Sequence, residues 1–299
     1  MQKNTVYSIF EVNILDNRQI EQMGSKKKFW FREPEQNQNW LFKYNRINTG
    51  EDWSEKIAAE IAELLAIPHA QVELAKCGGD RGIISKDFTD NGNKWLMHGN
   101  ELLSLSITQY PKRQKYRVSK HSIKNILSTI SKFKVVVPSG LPLEVDSPKE
   151  LFLGYLMLDV LIGNTDRHHE NWGILLLSEN LELAPTFDHA SSLGRELLDD
   201  RRKQLLSNPS HFERYCEKAA SAIFPTDEAI KPLSTIGAFN EFAKECSTKK
   251  FWLDKLSKIS DDVLRNCVEK VPSVIISSES REFVEEFLIT NKQRLLILP

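Results

Sequence analysis

A segment between residues 163 and 188, GNTDRHHENWGILLLSENLELAPTFD, most strongly constrains the fold of this chain. Asp166 and Asn171 have the spacing D-x-x-x-x-N. Between Asn171 and Asp188 lie an apolar run, a Glu-Asn turn and a second apolar run, which together predict a β-hairpin. Because a hairpin brings its ends together, we expect Asn171 and Asp188 to lie side by side, with Asp166 a loop's width away.

Phosphoryl transfer to a hydroxyl requires the groups that this hairpin would assemble. Asp166 is the candidate general base, which orients the hydroxyl and takes its proton. Asn171 and Asp188 are the candidate oxygen ligands for Mg²⁺. His168 is a further candidate catalytic residue, which could neutralise the phosphate or bond to Asp188; the alternative is a structural histidine. The segment therefore predicts a phosphotransferase that uses ATP and Mg²⁺.

The DRHHEN loop, the strand after it and the PTFDHASSLG segment resemble the HipA-like serine/threonine kinases of bacteria. The resemblance runs from about residue 24 to 195 and is most specific between 151 and 194. It implies an α+β, two-lobed protein-kinase-like fold. The small β-rich N-lobe would occupy residues 1–97, and the larger, mostly helical C-lobe would occupy residues 98–299. It also implies a protein substrate with a serine or threonine hydroxyl.

The N-terminal part has the order of elements found at the start of a kinase-like small lobe. Gly24 and Ser25 predict a turn, and Lys43 lies in the middle of the later predicted strand WLFKY. Backbone N–H groups of such a turn can approach phosphates, and a lysine neutralises them. Lys43 is therefore the candidate ATP lysine, with an edge-strand lysine facing water as the alternative. Only one glycine is present where other kinases have three, so a solvated basic hairpin tip is the alternative for this turn.

An amphipathic helix is predicted from residue 52 to 67. In kinases a helix in this position supplies a glutamate that pairs with the strand lysine. Glu55 best matches the family pattern, Glu60 is an alternative, and either could be a surface carboxylate. The segment Ile83-Ile84-Ser85 is the candidate hinge, where backbone groups would bind adenine.

The C-terminal pattern is helical. The clearest helices are predicted at 119–133 and 147–162. The second is apolar on nearly every face, so we expect it to be buried and to hold the catalytic loop rigidly. Further helices are predicted at 236–246, 251–259, 261–271 and 279–296, without a motif to which chemistry can be assigned.

Composition excludes several other classes of protein. Lys and Arg total 40 against 41 Asp and Glu, so no global field draws the chain to nucleic acid or an acidic membrane. No apolar run approaches the roughly 18 residues of a transmembrane helix, and the N-terminus has no signal-peptide pattern. The four scattered cysteines favour reduced thiols. We therefore expect a cytoplasmic protein that neither binds nucleic acid directly nor inserts into a membrane.

Three other functions stay open. Loops of the D-R-H-x-x-N type also occur in phosphoinositide kinases, so a lipid or small-molecule kinase is one alternative. A catalytically weak kinase-like binding module is another, because the glycine turn is incomplete. A zinc hydrolase is disfavoured because no H-E-x-x-H helix is present and adjacent histidines point apart on an extended chain. Its ligands would be Asp166, His168, His169, Asp188 and His189.

The family resemblance also implies partners and regulation. Some HipA-like toxins modify aminoacyl-tRNA synthetases and are restrained by a DNA-binding antitoxin. The resemblance therefore implies an aminoacyl-tRNA synthetase as substrate and an antitoxin as partner. A stand-alone kinase is the alternative. Family members carry phosphorylated loop serines, which makes Ser25 the candidate autophosphorylation site. Phosphate on Ser25 would repel the γ-phosphate of ATP and bind nearby lysines, which would lower activity.

Overall fold

The structure is a computed structural model, and it describes residues 5–13, 19–20, 27–33, 37–177 and 180–298. The turn predicted at Gly24 and Ser25 lies outside these residues. The described chain has a β-rich N-terminal part and a mostly helical C-terminal part. No helix within the described ranges combines the length and apolar character needed to span a bilayer.

Six strands of the described chain form the main sheet, in the order β1-β5-β6-β4-β3-β2. Neighbouring strands are antiparallel, except that β1 and β5 are parallel. The strands are β1 Ile9–Glu11, β2 Gln19–Ile20, β3 Lys28–Glu33, β4 Gln38–Tyr44, β5 Val72–Cys77 and β6 Asp80–Lys86.

Side-chain alternation gives this sheet two different faces. Phe29, Phe42 and Ile84 lie opposite one another on β3, β4 and β6 and belong to one buried apolar cluster. The rings of Phe29 and Phe42 are stacked, with centroids 5.3 Å apart. Lys43 and Ser85 are each one residue removed from this row, so they project from the opposite face. That face borders the cleft described below.

Helix α1, Glu51–Leu64, packs against β5 and β6 with an apolar stripe, as predicted. The helix is also anchored to the C-terminal part of the chain. Ser54 Oγ donates to the carbonyl of Ser192 at 2.9 Å. Lys255 Nζ donates to the carbonyl of Leu65, directly after the helix, at 2.8 Å. Helix α1 therefore joins the two parts of the molecule.

The predicted hairpin is present in a second, smaller sheet of the described residues. Strands β8, Gly173–Leu177, and β9, Asn180–Leu183, are antiparallel. The return strand was predicted at residues 181–187 and ends earlier, at Leu183. Pro185, two residues later, has no N–H for the ladder. An unpredicted strand β7, Trp95–His98, pairs with β8. The predicted lobe boundary at residues 97 and 98 falls inside β7 and stays a prediction.

Helices account for most of the remaining described chain. Helix α4, Pro148–Ile162, is central, and all its residues but Lys149 are buried, which confirms the predicted buried helix. The helix ends at Gly163 in the left-handed conformation, with φ +62°. The others are α2 Gly99–Ser106, α3 Ile123–Lys132, α5 Asp199–Leu206, α6 Pro209–Glu217, α7 Thr235–Ala243, α8 Lys249–Ser257, α9 Asp261–Glu269 and α10 Ser278–Leu296.

Candidate active site

Two adjoining cavities lie between the Lys43 face of the main sheet and the loops that precede and follow the β8–β9 hairpin. The first has a volume of about 300 Å³, is mostly polar and contains Asp166 and several cationic side chains. The second has a volume of about 180 Å³ and is mostly apolar. Lys43 and Asp188 line both cavities. The cleft therefore has a charged end and an apolar end.

Lys43 is at the junction of these two cavities. Its Nζ lies 3.0 Å from Glu55 Oε1 and 3.3 Å from Asp188 Oδ1. Burial alone would lower the pKa of Lys43, but the carboxylates of Asp188 and Glu55 raise it above its ordinary value. Lys43 is therefore positively charged. The alternative partner Glu60 pairs with Lys56 instead, at 2.7 Å.

The loop after α4 positions Asp166 through short-range hydrogen bonds. The N–H of Asp166 donates to Asn164 Oδ1 at 3.0 Å. Asn171 Nδ2 donates to the Asp166 carbonyl at 2.8 Å. The same bond leaves the amide oxygen of Asn171 as the atom available to a cation. Burial raises the pKa of the Asp166 carboxyl.

A buried ion pair fastens this loop to α4. The Arg167 guanidinium donates to both carboxylate oxygens of Asp159, at 2.8 and 2.7 Å, and to the Asn171 carbonyl at 2.9 Å. Arg167 has no exposed surface. A buried guanidinium that loses such a partner is strongly destabilising, so the pair holds the loop in one conformation.

His168 contacts the candidate base and not Asp188. Its Nδ1 accepts the N–H of Glu170 at 3.1 Å, so the proton of the neutral ring is on Nε2. Nε2 lies 3.6 Å from Asp166 Oδ1. Burial lowers the pKa of His168 to about 3. The ring faces Asp166, and the role of His168, whether toward the phosphate, toward Asp188 or as a structural histidine, stays a prediction.

A second chain of contacts reaches Asp166 from helix α1. Ser191 Oγ donates to Asp166 Oδ2 at 3.3 Å, and Arg195 Nη2 donates to Ser191 Oγ at 3.2 Å. Arg195 Nη1 also pairs with Glu51 at the start of α1. Glu51 is 2% exposed. The first residues of α1 are thus linked to the candidate base through two side chains that the sequence did not single out.

The donor set fits a hard cation completed by phosphate oxygens. Asn171 and Asp188 both line the apolar cavity close to Lys43. Asp188 adopts φ +60°, which is uncommon for a residue with a side chain and is tolerated best by Asp and Asn. Among the described residues, no group of three or more His, Cys, Asp or Glu side chains could hold a metal. The five candidate zinc ligands do not face one common point, since His169 bonds to Tyr110 and His189 bonds to Thr186.

The apolar cavity lies beside the predicted hinge. Ser85 lines this cavity, followed by the residues up to Thr89, whereas Ile84 faces the apolar core on the other side of the sheet. The wall also contains stacked rings of Phe88 and Phe187, with centroids 5.6 Å apart. The Ile84 side chain belongs to the core, and adenine binding by the backbone of the predicted hinge stays a prediction. Gly24 and Ser25 lie outside the described residues.

Comparisons with known proteins identify the family of this chain. The HipA-like C-terminal domain family matches residues 20–270. The chain belongs to this family. Relative to the serine/threonine-protein kinase CtkA of Helicobacter pylori (strain J99), this HipA-like chain is 24% identical over 251 residues, covering 82% of the chain and 70% of CtkA. The family resemblance drawn from the DRHHEN loop is thereby confirmed.

Solved structures show the fold of this HipA-like chain. The crystal structure of the H. pylori proinflammatory kinase CtkA matches 97% of this chain and 96% of its own, with a TM-score of 0.71 and 20% identity. A chain of the Shewanella oneidensis MR-1 toxin–antitoxin complex of HipA, HipB and operator DNA matches 94% of this chain and 66% of its own, with a TM-score of 0.53 and 12% identity. The predicted α+β kinase-like fold is confirmed.

Proposed function

We propose that this chain is a protein serine/threonine kinase that depends on ATP and Mg²⁺. The observation that supports this most directly is the contact of Lys43 with both Glu55 and Asp188, beside a cavity that contains Asp166. Family membership and homology to a serine/threonine-protein kinase support the same activity.

The proposed mechanism assigns one task to each group. Adenine occupies the apolar cavity, and Lys43 binds the ATP phosphates. Asn171 Oδ1 and the Asp188 carboxylate would hold Mg²⁺, which would neutralise charge on the phosphates. The substrate hydroxyl oxygen attacks the γ-phosphorus as the bond to the β–γ bridging oxygen breaks, with ADP as the leaving group. Asp166 accepts the hydroxyl proton, and the Ser191 hydroxyl, which donates to Asp166 Oδ2, orients its carboxylate beside the ring of His168.

The test is transfer of labelled phosphate from ATP, in cell extract and to purified proteins and lipids. We expect Asp166→Asn to fold and bind Mg-ATP but to lose at least about a hundredfold in transfer, since general-base catalysis contributes that much. Asp146→Asn, an exposed aspartate away from the cleft, is the matched control. Normal transfer by Asp166→Asn would contradict the mechanism, and label found in lipid alone would identify a lipid kinase.

The finer biological role that we propose is that of a toxin kinase with an antitoxin partner, with an aminoacyl-tRNA synthetase as its substrate. The likeness to a HipA chain in a toxin–antitoxin complex supports this role. Expression in a bacterial host provides the test: the wild type should arrest growth of the host, and Asp166→Asn should not. Identification of the labelled protein by mass spectrometry would check the substrate.

We also propose autophosphorylation of Ser25 as an inhibitory modification. Its support is the cationic lining of the charged cavity, where Lys28 and Arg46 could bind a phosphoserine. Intact-mass and peptide mass spectrometry after incubation with Mg-ATP should detect phosphate on Ser25 in the wild type and not in Asp166→Asn. An active enzyme with unmodified Ser25 would exclude this regulation.

A further inference from the structure

A third cavity adjoins the catalytic loop, and none of the roles proposed above uses it. It has a volume of about 230 Å³ and shares Lys115, Tyr116 and Thr165 with the charged cavity. Thr165 directly precedes Asp166 in the chain. The two cavities therefore meet beside the carboxylate that would face the acceptor hydroxyl.

The exposed area of this third cavity's wall is mainly apolar, although Lys115, Arg117, His121, His168 and His169 also line it. Val118, Ala222, Phe224 and Pro232 form much of its wall. Tyr116 stands at the boundary with the charged cavity and is 57% exposed. An exposed aromatic ring beside an apolar recess is typical of a surface that becomes buried on binding.

Size and position indicate which kind of group fits. The volume is below the roughly 300–1,000 Å³ of sites for whole small molecules, so a single side chain is a better match than a second cofactor. A polypeptide whose hydroxyl reaches Asp166 enters the charged cavity, whose wall includes Thr165 and Tyr116. One of its neighbouring side chains then lies at the mouth of the apolar recess.

We propose that this cavity binds a large apolar side chain, aromatic or branched aliphatic, close in sequence to the phosphorylated serine or threonine of a protein substrate. The inference rests on the proposed kinase activity and adds the sequence preference of that substrate. Tyr116 covers the bound side chain, and Ala222 leaves the space that it fills.

Synthetic peptides test the preference directly. Each peptide carries one serine in an alanine-rich background, and each position from three before to three after the serine is replaced in turn by Phe, Leu, Asp or Lys. We expect one position at which Phe or Leu raises kcat/KM by about tenfold or more over Ala, the range that an apolar pocket supplies. Asp and Lys at that position should give no gain.

Two variants connect the preference to the cavity. Ala222→Phe should fill the recess and abolish the preference, whereas Ala229→Phe, at a position that does not line the recess, should keep it. Thermal stabilisation by Mg-ATP checks that each variant is folded. Equal phosphorylation of all peptides, or a preference that survives Ala222→Phe, would overturn this subsite alone. A wild type that phosphorylates neither peptide nor protein would overturn the proposed kinase activity itself.

Discussion

Lys43 carries the most directly testable interaction at the scale of single residues. Its bond to Glu55 is largely buried, since the Glu55 side chain is 2% exposed. We expect a double-mutant cycle between Lys43→Ala and Glu55→Gln to give a coupling free energy of about 0.5–3 kcal/mol in Mg-ATP binding. The measurement is the ATP dissociation constant of each variant. Glu60→Gln, in place of Glu55→Gln, should show no coupling because Glu60 pairs with Lys56.

Ser191 provides a second prediction at this scale. Ser191→Ala removes a hydrogen bond to the Asp166 carboxylate and should lower kcat by about tenfold, since a bond to a charged group contributes about 1.5–3 kcal/mol. The KM for ATP should be nearly unchanged because Ser191 does not line the apolar cavity. Ser191→Thr, which keeps the hydroxyl, should restore most of kcat. A KM effect without a kcat effect, or no rescue by threonine, would contradict this positioning role.

The residues predicted from sequence and those missed differ in one physical respect. Asp166, Asn171 and Asp188 lie within one hairpin-forming segment, so their spacing alone brings them together. Ser191 and Arg195 reach Asp166 and Glu51 through long-range packing, which leaves no periodic signal. Arg167 could have been assigned, because Asp159 is the one carboxylate in the apolar stretch of α4 from residue 151 to 162 and a buried charge requires a partner.

At the scale of elements, β-strand alternation determines which face of the sheet each residue of the predicted hinge occupies. Ile84 and Ser85 are adjacent in sequence but lie on opposite faces of the sheet, and only pairing with β4 shows which face borders the cleft. The existence and type of β4, α1, α4 and the β8–β9 hairpin followed from periodicity. Strand β7 was missed because a four-residue strand has too little pattern to be distinguished from its surroundings.

The end of α4 gives a stability prediction at this scale. Gly163 has φ +62°, and an added Cβ would lie 2.5 Å from the Phe287 ring. Gly163→Ala should lower the free energy of unfolding by about 1–2 kcal/mol from backbone strain, plus a steric term. Gly140→Ala is the control, since Gly140 also has positive φ but open space around it. Urea denaturation of both variants separates strain from packing, and equal losses would contradict the packing term.

At the scale of the whole molecule, buried neutral histidines predict sensitivity to acid. His121 is 1% exposed, with Nε2 accepting the Trp172 indole N–H at 3.0 Å. Burial lowers the pKa of His121 to about 3, from an ordinary value near 6.5. Below pH 6.5 the unfolded chain therefore binds a proton that the folded chain does not, so stability falls as the pH is lowered from about 6.5 toward 3.

The slope of this loss can be measured by urea denaturation between pH 5 and 8. Below about pH 6.5, His121 should lower the free energy of unfolding by up to about 1.4 kcal/mol for each pH unit of acidification. His121→Gln should reduce the slope by that amount, whatever its effect on stability at pH 8. His211→Gln, at an exposed position, should leave the slope unchanged. An unchanged slope in His121→Gln would mean that the folded protein protonates His121 readily.

The anchoring of helix α1 has a consequence for how such a protein can be controlled. Many kinases switch off by rotating this helix outward, which breaks the lysine–glutamate pair. Here Ser54 bonds to Ser192, and Glu51 bonds to Arg195. The carbonyl of Leu65 accepts a hydrogen bond from a third position in the C-terminal part, Lys255. Leaving buried polar groups unpaired costs about 1–3 kcal/mol each, so the outward position is disfavoured by several such penalties. We expect a catalytic centre assembled in its working form from the moment of folding. Control of the activity would then come from the turn predicted at Gly24 and Ser25, from nucleotide supply or from a second protein.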